Sequence, residues 1–372
     1  MIIGSLEDCS RRGTTDFSNN SQPRSDFMRA FVLHGPKDMR LETIPDPKPG
    51  PDEVKIRIKR VGICGSDMHY YQHFGIGSFI PKEPFALGHE FSGEVVEHGS
   101  LVETVKLGDR VTVEPGLFCG KCRYCKAGRY NLCSAMRFYG SASCYPHLHG
   151  GFAEYVIAPA RNCFHVPDGM SYGEGALIEP LAVGMHAVIR AGSLGGKVGL
   201  VTGGGTIGQT VVLSALAMGI DRIYVSDIAP FAREFSVAHG ATDAFDPTSP
   251  SFADDIKAAA PDGFDAVFEA SGSPRALSQA FELAGRGAVV VQIGTQPAEV
   301  TLPANVVMSK ELTVYGSFRY AHVFPQIITL ATQKRMEIAP MITQVFPFEE
   351  MQKAMDVSIA KDGVIKVQVE YT

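Results

Sequence analysis

Between Met28 and about Cys163, apolar and polar residues alternate in short runs. VKIRIKRVGI (54–63), FSGEVVEHG (91–99), DRVTVEPG (109–116) and FAEYVIAP (152–159) are β-rich and bounded by Gly, Pro and Asp. Such runs predict short strands and an all-β character for this part of the chain. From about Lys197 the period changes. KVGLVTGG (197–204) reads as a buried strand, TIGQTVVLSALAMG (206–219) as a helix and DRIYVSD (221–227) as a strand. PFAREFSVAHG (230–240) reads as a helix ending on Gly240, followed by the strands FDAVFEAS (264–271) and GAVVVQIG (287–294). Strand and helix alternating at this spacing predict a parallel sheet covered on both faces. After ELTVYGSF (311–318), a helix over 324–334 and a last strand VIKVQVEY (364–371) leave the alternation and are expected to pack back onto the first domain.

The first 27 residues carry no such period. They are polar, and Glu7 and Asp8 stand where the apolar core of a secretory signal would lie. They read as a disordered extension, with Met28 as an alternative start for the folded protein. The cytoplasm is then the expected compartment, and its reducing conditions disfavour disulfides. The 372 residues suffice for two domains, and 39 glycines spread along most of the chain fit an α/β enzyme. A net charge of −6 with acids and bases interspersed offers no basic stripe for nucleic acid. The longest apolar runs, such as VVLSALAMGI (211–220), are too short to span a bilayer.

The first strand of the alternating region runs into Gly203-Gly204-Gly205-Thr206-Ile207-Gly208, a GxGxxG that opens a helix. Gly203 makes the tight turn, Gly205 lets backbone approach a pyrophosphate, and Gly208 lets helix and strand pack closely. The helix N-terminus supplies free N–H donors to phosphates. Alone the triplet is weak, since a packing turn looks the same. Asp227, at the end of the next strand, strengthens it. A carboxylate there accepts bonds from an adenosine ribose and repels a 2′-phosphate, so NAD(H) is favoured over NADP(H).

FCGKCRYCKAGRYNLCS (118–134) places Cys119, Cys122, Cys125 and Cys133 in one loop. Neighbours this near would close small, strained disulfide loops. Four thiolates suit a tetrahedral zinc ion, at about 2.3 Å each, and they saturate it. This site is expected to be structural. The spacing matches neither common ferredoxin pattern, and the lack of two paired knuckles disfavours a DNA-binding zinc module.

Chemistry is therefore sought elsewhere. VGICGSDMHYY (61–71) places Cys64, Ser66, Asp67 and His69 at the end of a strand; LGHEFSG (87–93) places His89 and Glu90 after a glycine; LIEPLAVG (177–184) places Glu179 before a proline. A thiolate, an imidazole and one or two carboxylates make a zinc site with a vacancy. Singly, Cys64 reads as a small buried residue, His89 as a core histidine and Glu179 as a helix-capping acid. Their joint presence beside a dinucleotide loop favours the metal.

With these motifs and GSFRY (316–320), the chain from about Met28 onward resembles the zinc-dependent medium-chain alcohol dehydrogenases, most closely their polyol (sorbitol/xylitol) branch. The resemblance implies an α/β protein with a GroES-like β-rich catalytic domain (28–184, resumed at 318–372) and a Rossmann coenzyme domain (185–317). It implies a catalytic Zn²⁺ held by Cys64, His89 and Glu90, with Glu179 beside the metal directly or through water. It implies substrate contacts at Tyr70, Glu179, Arg319 and Tyr320. For NAD it implies contacts at Ile207, Asp227, Ile293, Gly294, Thr295, Ser317, Phe318 and Arg319. A proton path would run from Ser66 through the nicotinamide ribose to His69. An arginine commonly follows the ribose acid by five residues in this family; that place here is Ala232, with Arg233 next. Relatives are usually tetramers, sometimes dimers, which implies a homo-oligomer.

The function this implies is oxidation of a secondary hydroxyl of a polyol to a ketose. The metal acts as a Lewis acid on the hydroxyl while hydride passes to nicotinamide. A carboxylate-rich, harder zinc would accept a vicinal diol through two oxygens. L-idonate, L-threonine or a butanediol are alternative substrates on the same scaffold. A zinc-stapled, non-catalytic binding protein is the alternative of another class.

Overall fold

A computed structural model describes residues 26–372. The extension expected over 1–27 lies outside the described residues except at its end, where Phe27 already opens the strand Phe27–Gly35. The folded chain therefore starts ahead of Met28. That strand pairs antiparallel with Asp38–Pro45 and with Phe85–Ala86.

The larger sheet of the β-rich half runs in the order Cys163–His165, Arg110–Val113, Glu90–His98, Glu53–Gly62, Lys366–Glu370 and Ile342–Pro347, with Tyr155–Pro159 also paired to Glu53–Gly62. Its core includes the fully buried Val54, Ile56, Ile58, Val61, Phe91, Val111 and Val113. The tail of the chain returns to this sheet: Val369 lies opposite Val61 on an antiparallel pair. The last strand thus brings Lys366 against the residues that follow the Glu53–Gly62 strand.

Six parallel strands form the second sheet in the order Asp243–Phe245, Arg222–Ser226, Val198–Thr202, Phe264–Glu269, Ala284–Gln292 and Thr313–Gly316. By chain position this is 3-2-1-4-5-6, the doubly wound dinucleotide fold, with its switch point beside Val198–Thr202. Val201 sits between Val225 and Phe268, all three fully buried, which is why these strands read as continuous apolar runs. Gly203 has φ +95°, a left-handed turn that only glycine makes freely, and a Cβ on Gly208 would lie 1.8 Å from the Gly203 carbonyl. The first and last glycines of the loop are fixed by sterics.

Three readings from sequence change. Cys64, Ser66 and His69 do not end a strand: the strand stops at Gly62, Cys64 caps the helix Gly65–His73, and Ser66 and His69 lie on that helix. The helix near 324–334 spans Phe324–Thr332. Glu179 caps nothing. It lies inside the helix Tyr172–Ala191, which contains Pro180 and is capped by Ser171, whose side chain accepts from the Glu174 N–H while Glu174 accepts from the Ser171 N–H. This helix presses on Thr206–Ala217 so closely that a Cβ on Gly184 would meet Thr210 at 2.4 Å. No helix among the described residues is long and apolar enough to cross a membrane.

Candidate active site

The strand Glu53–Gly62 delivers Cys64, the start of Glu90–His98 delivers His89 and Glu90, and the helix Tyr172–Ala191 delivers Glu179. One Sγ, one ring nitrogen and one carboxylate oxygen from Cys64, His89 and Glu90 lie within 4.8 Å of one another. Asp67 is fully buried beneath them. It accepts from the N–H of Cys64 at 2.9 Å and of Gly88 at 3.2 Å, and its Oδ1 lies 3.7 Å from His89 Nδ1. Asp67 therefore fixes the backbone on both sides of the cluster and faces its imidazole.

The charges are unbalanced without an ion. Burial opposes the His89 cation, but Asp67, Cys64 and Glu179 outweigh it and raise its pKa well above the ordinary value. Glu179 is pushed up to about 7 by burial, with Glu90 adding to the shift and His89 opposing it. The Nδ1 of His89 is buried and has no hydrogen-bond partner. A soft thiol, an imidazole and carboxylates gathered around an unpaired buried nitrogen fit Zn²⁺.

Glu90 has a partner that sequence did not reveal. Lys366 Nζ donates to both Glu90 oxygens at 2.8 Å and to the Ile63 carbonyl at 2.9 Å, with both side chains buried. The lysine sits on a strand buried on nearly every residue, so alternation gave no signal that it points inward.

Glu179 Oε1 accepts from the Tyr320 hydroxyl at 2.6 Å, which brings the 318–322 segment over the cluster. Phe138 connects that segment to the histidine: its ring centroid is 5.6 Å from His89 and 4.6 Å from the Arg319 guanidinium. Burial lowers the Arg319 pKa, opposed by Tyr320, Tyr70 and Glu179. Tyr70 is buried, with its hydroxyl 3.3 Å from Ser141 Oγ and accepting from the Ala142 N–H at 3.0 Å. Phe318 and Arg319 wall a cavity of about 400 Å³ together with Asn131, Cys133 and Ser143.

A larger cavity, about 650 Å³, lies in the cleft between the two halves. Gly203, Gly205, Ile207 and Asp227 wall it from the parallel-sheet side, and Ile63, Gly65 and Met68 from the other, so Cys64 lies between two wall residues. Gly208 is buried behind the loop. Ile293, Gly294 and Thr295 are off the wall; the N–H groups of Ile293 and Gly294 bond the Glu269 carbonyl. Ser317 is off it too, and Phe318 and Arg319 face the smaller cavity instead. Asp227 accepts from the N–H of Gly204 at 2.6 Å and of Ala229 at 2.7 Å, which holds its carboxylate at the wall. Arg233 donates to the Asp227 carbonyl at 2.8 Å and lies 3.3 Å from Asp246, so its charge is spent on internal acceptors. Ser66 and His69, three residues apart on one helix, share a face, and His69 is exposed.

The four thiols of Cys119, Cys122, Cys125 and Cys133 also lie within 4.8 Å of one another, with none in a disulfide. Four sulfurs on one zinc would be about 3.8 Å apart. Backbone N–H groups of Cys125 and Ser134 pull the Cys122 thiol down to about 5, while desolvation and its thiol neighbours push Cys125 up to about 12. The first proton leaves easily and the last reluctantly, and a divalent cation relieves the second difficulty.

Glu114 was also not foreseen. It is buried, receives a bond from the Tyr130 hydroxyl at 3.2 Å, and is raised to about 7 chiefly by burial. Its folded pKa lies above the unfolded one, so its contribution to stability is whole below about 4.5 and is lost as pH rises through 7. Glu114→Gln is expected to remove that slope and to stabilise the protein at pH 8 by about 3 kcal/mol relative to its effect at pH 4.5. Urea denaturation at the two pH values checks this; an unchanged slope would refute it.

Residues 50–168 match the alcohol dehydrogenase GroES-like domain and residues 206–333 match the zinc-binding dehydrogenase family. The chain is 37% identical to sorbitol dehydrogenase of Bacillus subtilis, over 92% of this chain and 97% of that one. It is 36% identical to a putative D-xylulose reductase of Agrobacterium fabrum, over 92% and 99%. The crystal structure of L-idonate 5-dehydrogenase from Escherichia coli superposes with a TM-score of 0.86 at 31% identity, covering 92% of this chain and 98% of that one. The chain belongs to the zinc-containing medium-chain alcohol dehydrogenase superfamily. Within it, the protein is an NAD(P)-dependent zinc dehydrogenase of polyols or alcohols.

Proposed function

We propose that the protein oxidises a secondary hydroxyl of a xylitol- or sorbitol-type polyol to a ketose with NAD⁺. The observation that carries this reading is the Phe138 bridge. It puts the Arg319 guanidinium one ring away from the Cys64–His89–Glu90 cluster, while Tyr320 reaches Glu179 on the same segment. A simple alcohol needs no cation there; a chain of hydroxyls gains several fixed donors.

Zn²⁺ held by Cys64, His89 and Glu90 would supply Lewis acidity toward the substrate hydroxyl. Glu179 and Tyr320 would orient a neighbouring hydroxyl, and Arg319 and Tyr70 would receive the far end of the chain. Ser66 and His69 would move the released proton outward along their helix face. Asp227 at the cavity wall favours NAD⁺, because a 2′-phosphate would meet its charge and Arg233 is already engaged.

A second reading has its own support. Among the described residues Arg319 has no acid partner, only the faces of Phe138 and Phe318 at 4.6 and 4.9 Å. A half-buried cation with no directly paired acid suits the carboxylate of a sugar acid such as L-idonate. The two are separated by a panel of xylitol, sorbitol, galactitol, L-threonine and L-idonate with NAD⁺ and NADP⁺, following the reduced cofactor. Highest kcat/KM on a neutral polyol with NAD⁺ is expected; preference for idonate or NADP⁺ would overturn the corresponding half. In the same assay Arg319→Ala is expected to raise KM for polyols about 10- to 100-fold and KM for 2,3-butanediol by no more than about threefold. Equal effects would remove Arg319 from the substrate pocket.

A further inference from the structure

The segment 318–322 carries Arg319 and Tyr320, yet its backbone is not held by the sheet it leaves. Ser317 N–H still bonds the Gln292 carbonyl, and the helix resumes at Phe324. Between them, among the described residues, every backbone hydrogen bond of 318–322 goes to the four-cysteine loop. Asn131 Nδ2 donates to the Phe318 carbonyl at 3.0 Å, and the His322 N–H donates to the Tyr130 hydroxyl at 2.7 Å. The His322 ring adds a bond from Nε2 to the Gly128 carbonyl at 2.8 Å and meets the Tyr130 ring edge-on at 4.6 Å.

The conformation held this way is one the segment would not choose. Arg319 has φ +54° and His322 φ +62°, two left-handed non-glycine residues within four positions. Such residues persist only where their surroundings over-determine them. Here the surroundings are Tyr130 and Asn131, which lie between Cys125 and Cys133 and are set by the loop those thiols brace. Asn131 and Cys133 also wall the cavity into which Arg319 points, and Phe138, just beyond the loop, supplies one of the faces against its guanidinium.

We propose that the four-cysteine loop sets substrate specificity, with Asn131 a positioning residue that, together with Tyr130 and Gly128, holds 318–322 so that Arg319 and Tyr320 face the substrate. The metal-binding loop then does more than stiffen a lobe. Its sequence between the third and fourth cysteine selects the pose of the substrate arm, and through it which alcohols bind well. Asn131 touches no reacting atom; because Tyr320 is separately anchored by its 2.6 Å bond to Glu179, the effect of Asn131 passes through Arg319.

That last property separates the proposal from a general loss of structure. Asn131→Ala in the zinc-loaded enzyme is expected to raise KM for the best polyol about tenfold while kcat stays within about threefold. In an Arg319→Ala background the same substitution should add nothing, because the residue it acts through is gone. Multiplied effects in the double variant, or an unchanged KM in Asn131→Ala alone, would overturn it. The kinetic arm rests on the polyol reading, so a second arm does not. Tyr130→Phe removes the acceptor of the His322 N–H and is expected to speed amide hydrogen exchange in the 318–322 peptide at least about tenfold, with exchange of the Val198–Thr202 strand unaltered. If wild-type protein oxidises no polyol, the proposed function fails and this arm alone decides. Unchanged exchange in 318–322 would then end the proposal.

Discussion

Cys64→Ala is expected to abolish cofactor-linked alcohol oxidation, lowering kcat/KM at least about 10⁴-fold, or roughly 5.5 kcal/mol of transition-state stabilisation. The thiol is the only soft ligand of its cluster, standing with His89 and Glu90 within 4.8 Å, and removing it leaves an imidazole and a carboxylate already shared with Lys366. Two such ligands hold zinc poorly. Elemental analysis should therefore fall from about two zinc ions per chain to about one, the remaining ion belonging to the four-thiol loop. NADH binding, followed by its fluorescence, should persist, because the glycine loop and Asp227 lie on the other wall of the cleft. Cys122→Ser should lose the other zinc instead and lower thermal stability. Near-normal turnover in Cys64→Ala, or loss of both ions, would defeat the assignment.

Much of this architecture could be read in the chain because local sterics and burial write themselves in sequence. Strands buried on both faces appear as unbroken apolar runs, as at Val198–Thr202, and the glycine loop is spelled by the contact that a Cβ on Gly208 would make. Four cysteines within one loop need no tertiary knowledge to be grouped. Contacts made across the chain left no such trace. Lys366 meets Glu90 from 276 positions away, and Asn131 meets Phe318 from 187. Neither residue type advertises burial, since lysine and asparagine are ordinarily exposed.

The helix around Glu179 was missed for a different reason. Proline disfavours a helix interior, so Pro180 masks the helix in the sequence, although Ser171 and Glu174 spell its capping box. Sequence also placed Cys64 at a strand end, where the structure has it capping a helix. The chemistry assigned to these residues did not depend on that error, because the cap still turns the cysteine toward His89. The alternation rule located the frame, and long-range pairs decided what the frame holds.

The second large effect concerns Lys366. Methionine fills the space of the lysine stem but leaves the Glu90 carboxylate, 1% exposed on its side chain, without its cation. Breaking a buried pair from one side costs about 3–5 kcal/mol, so Lys366→Met stripped of metal should unfold roughly 10 °C below the stripped wild type. Glu90→Gln added to that variant should recover most of the loss, since no charge is then stranded. Zinc changes the balance. A divalent ion beside Glu90 supplies the missing positive charge, so the penalty should shrink in the loaded protein. By linkage the same free energy must appear in metal affinity: an ion that offsets about 3 kcal/mol binds the variant about a hundredfold more tightly than the wild type. If Glu90 is a zinc ligand, the lysine and the metal would compete for one carboxylate, and the native protein would give up zinc affinity in exchange for a cluster that stays folded when empty. Equal destabilisation with and without zinc, together with unchanged zinc release to a chelator, would show that Lys366 and the ion do not share Glu90.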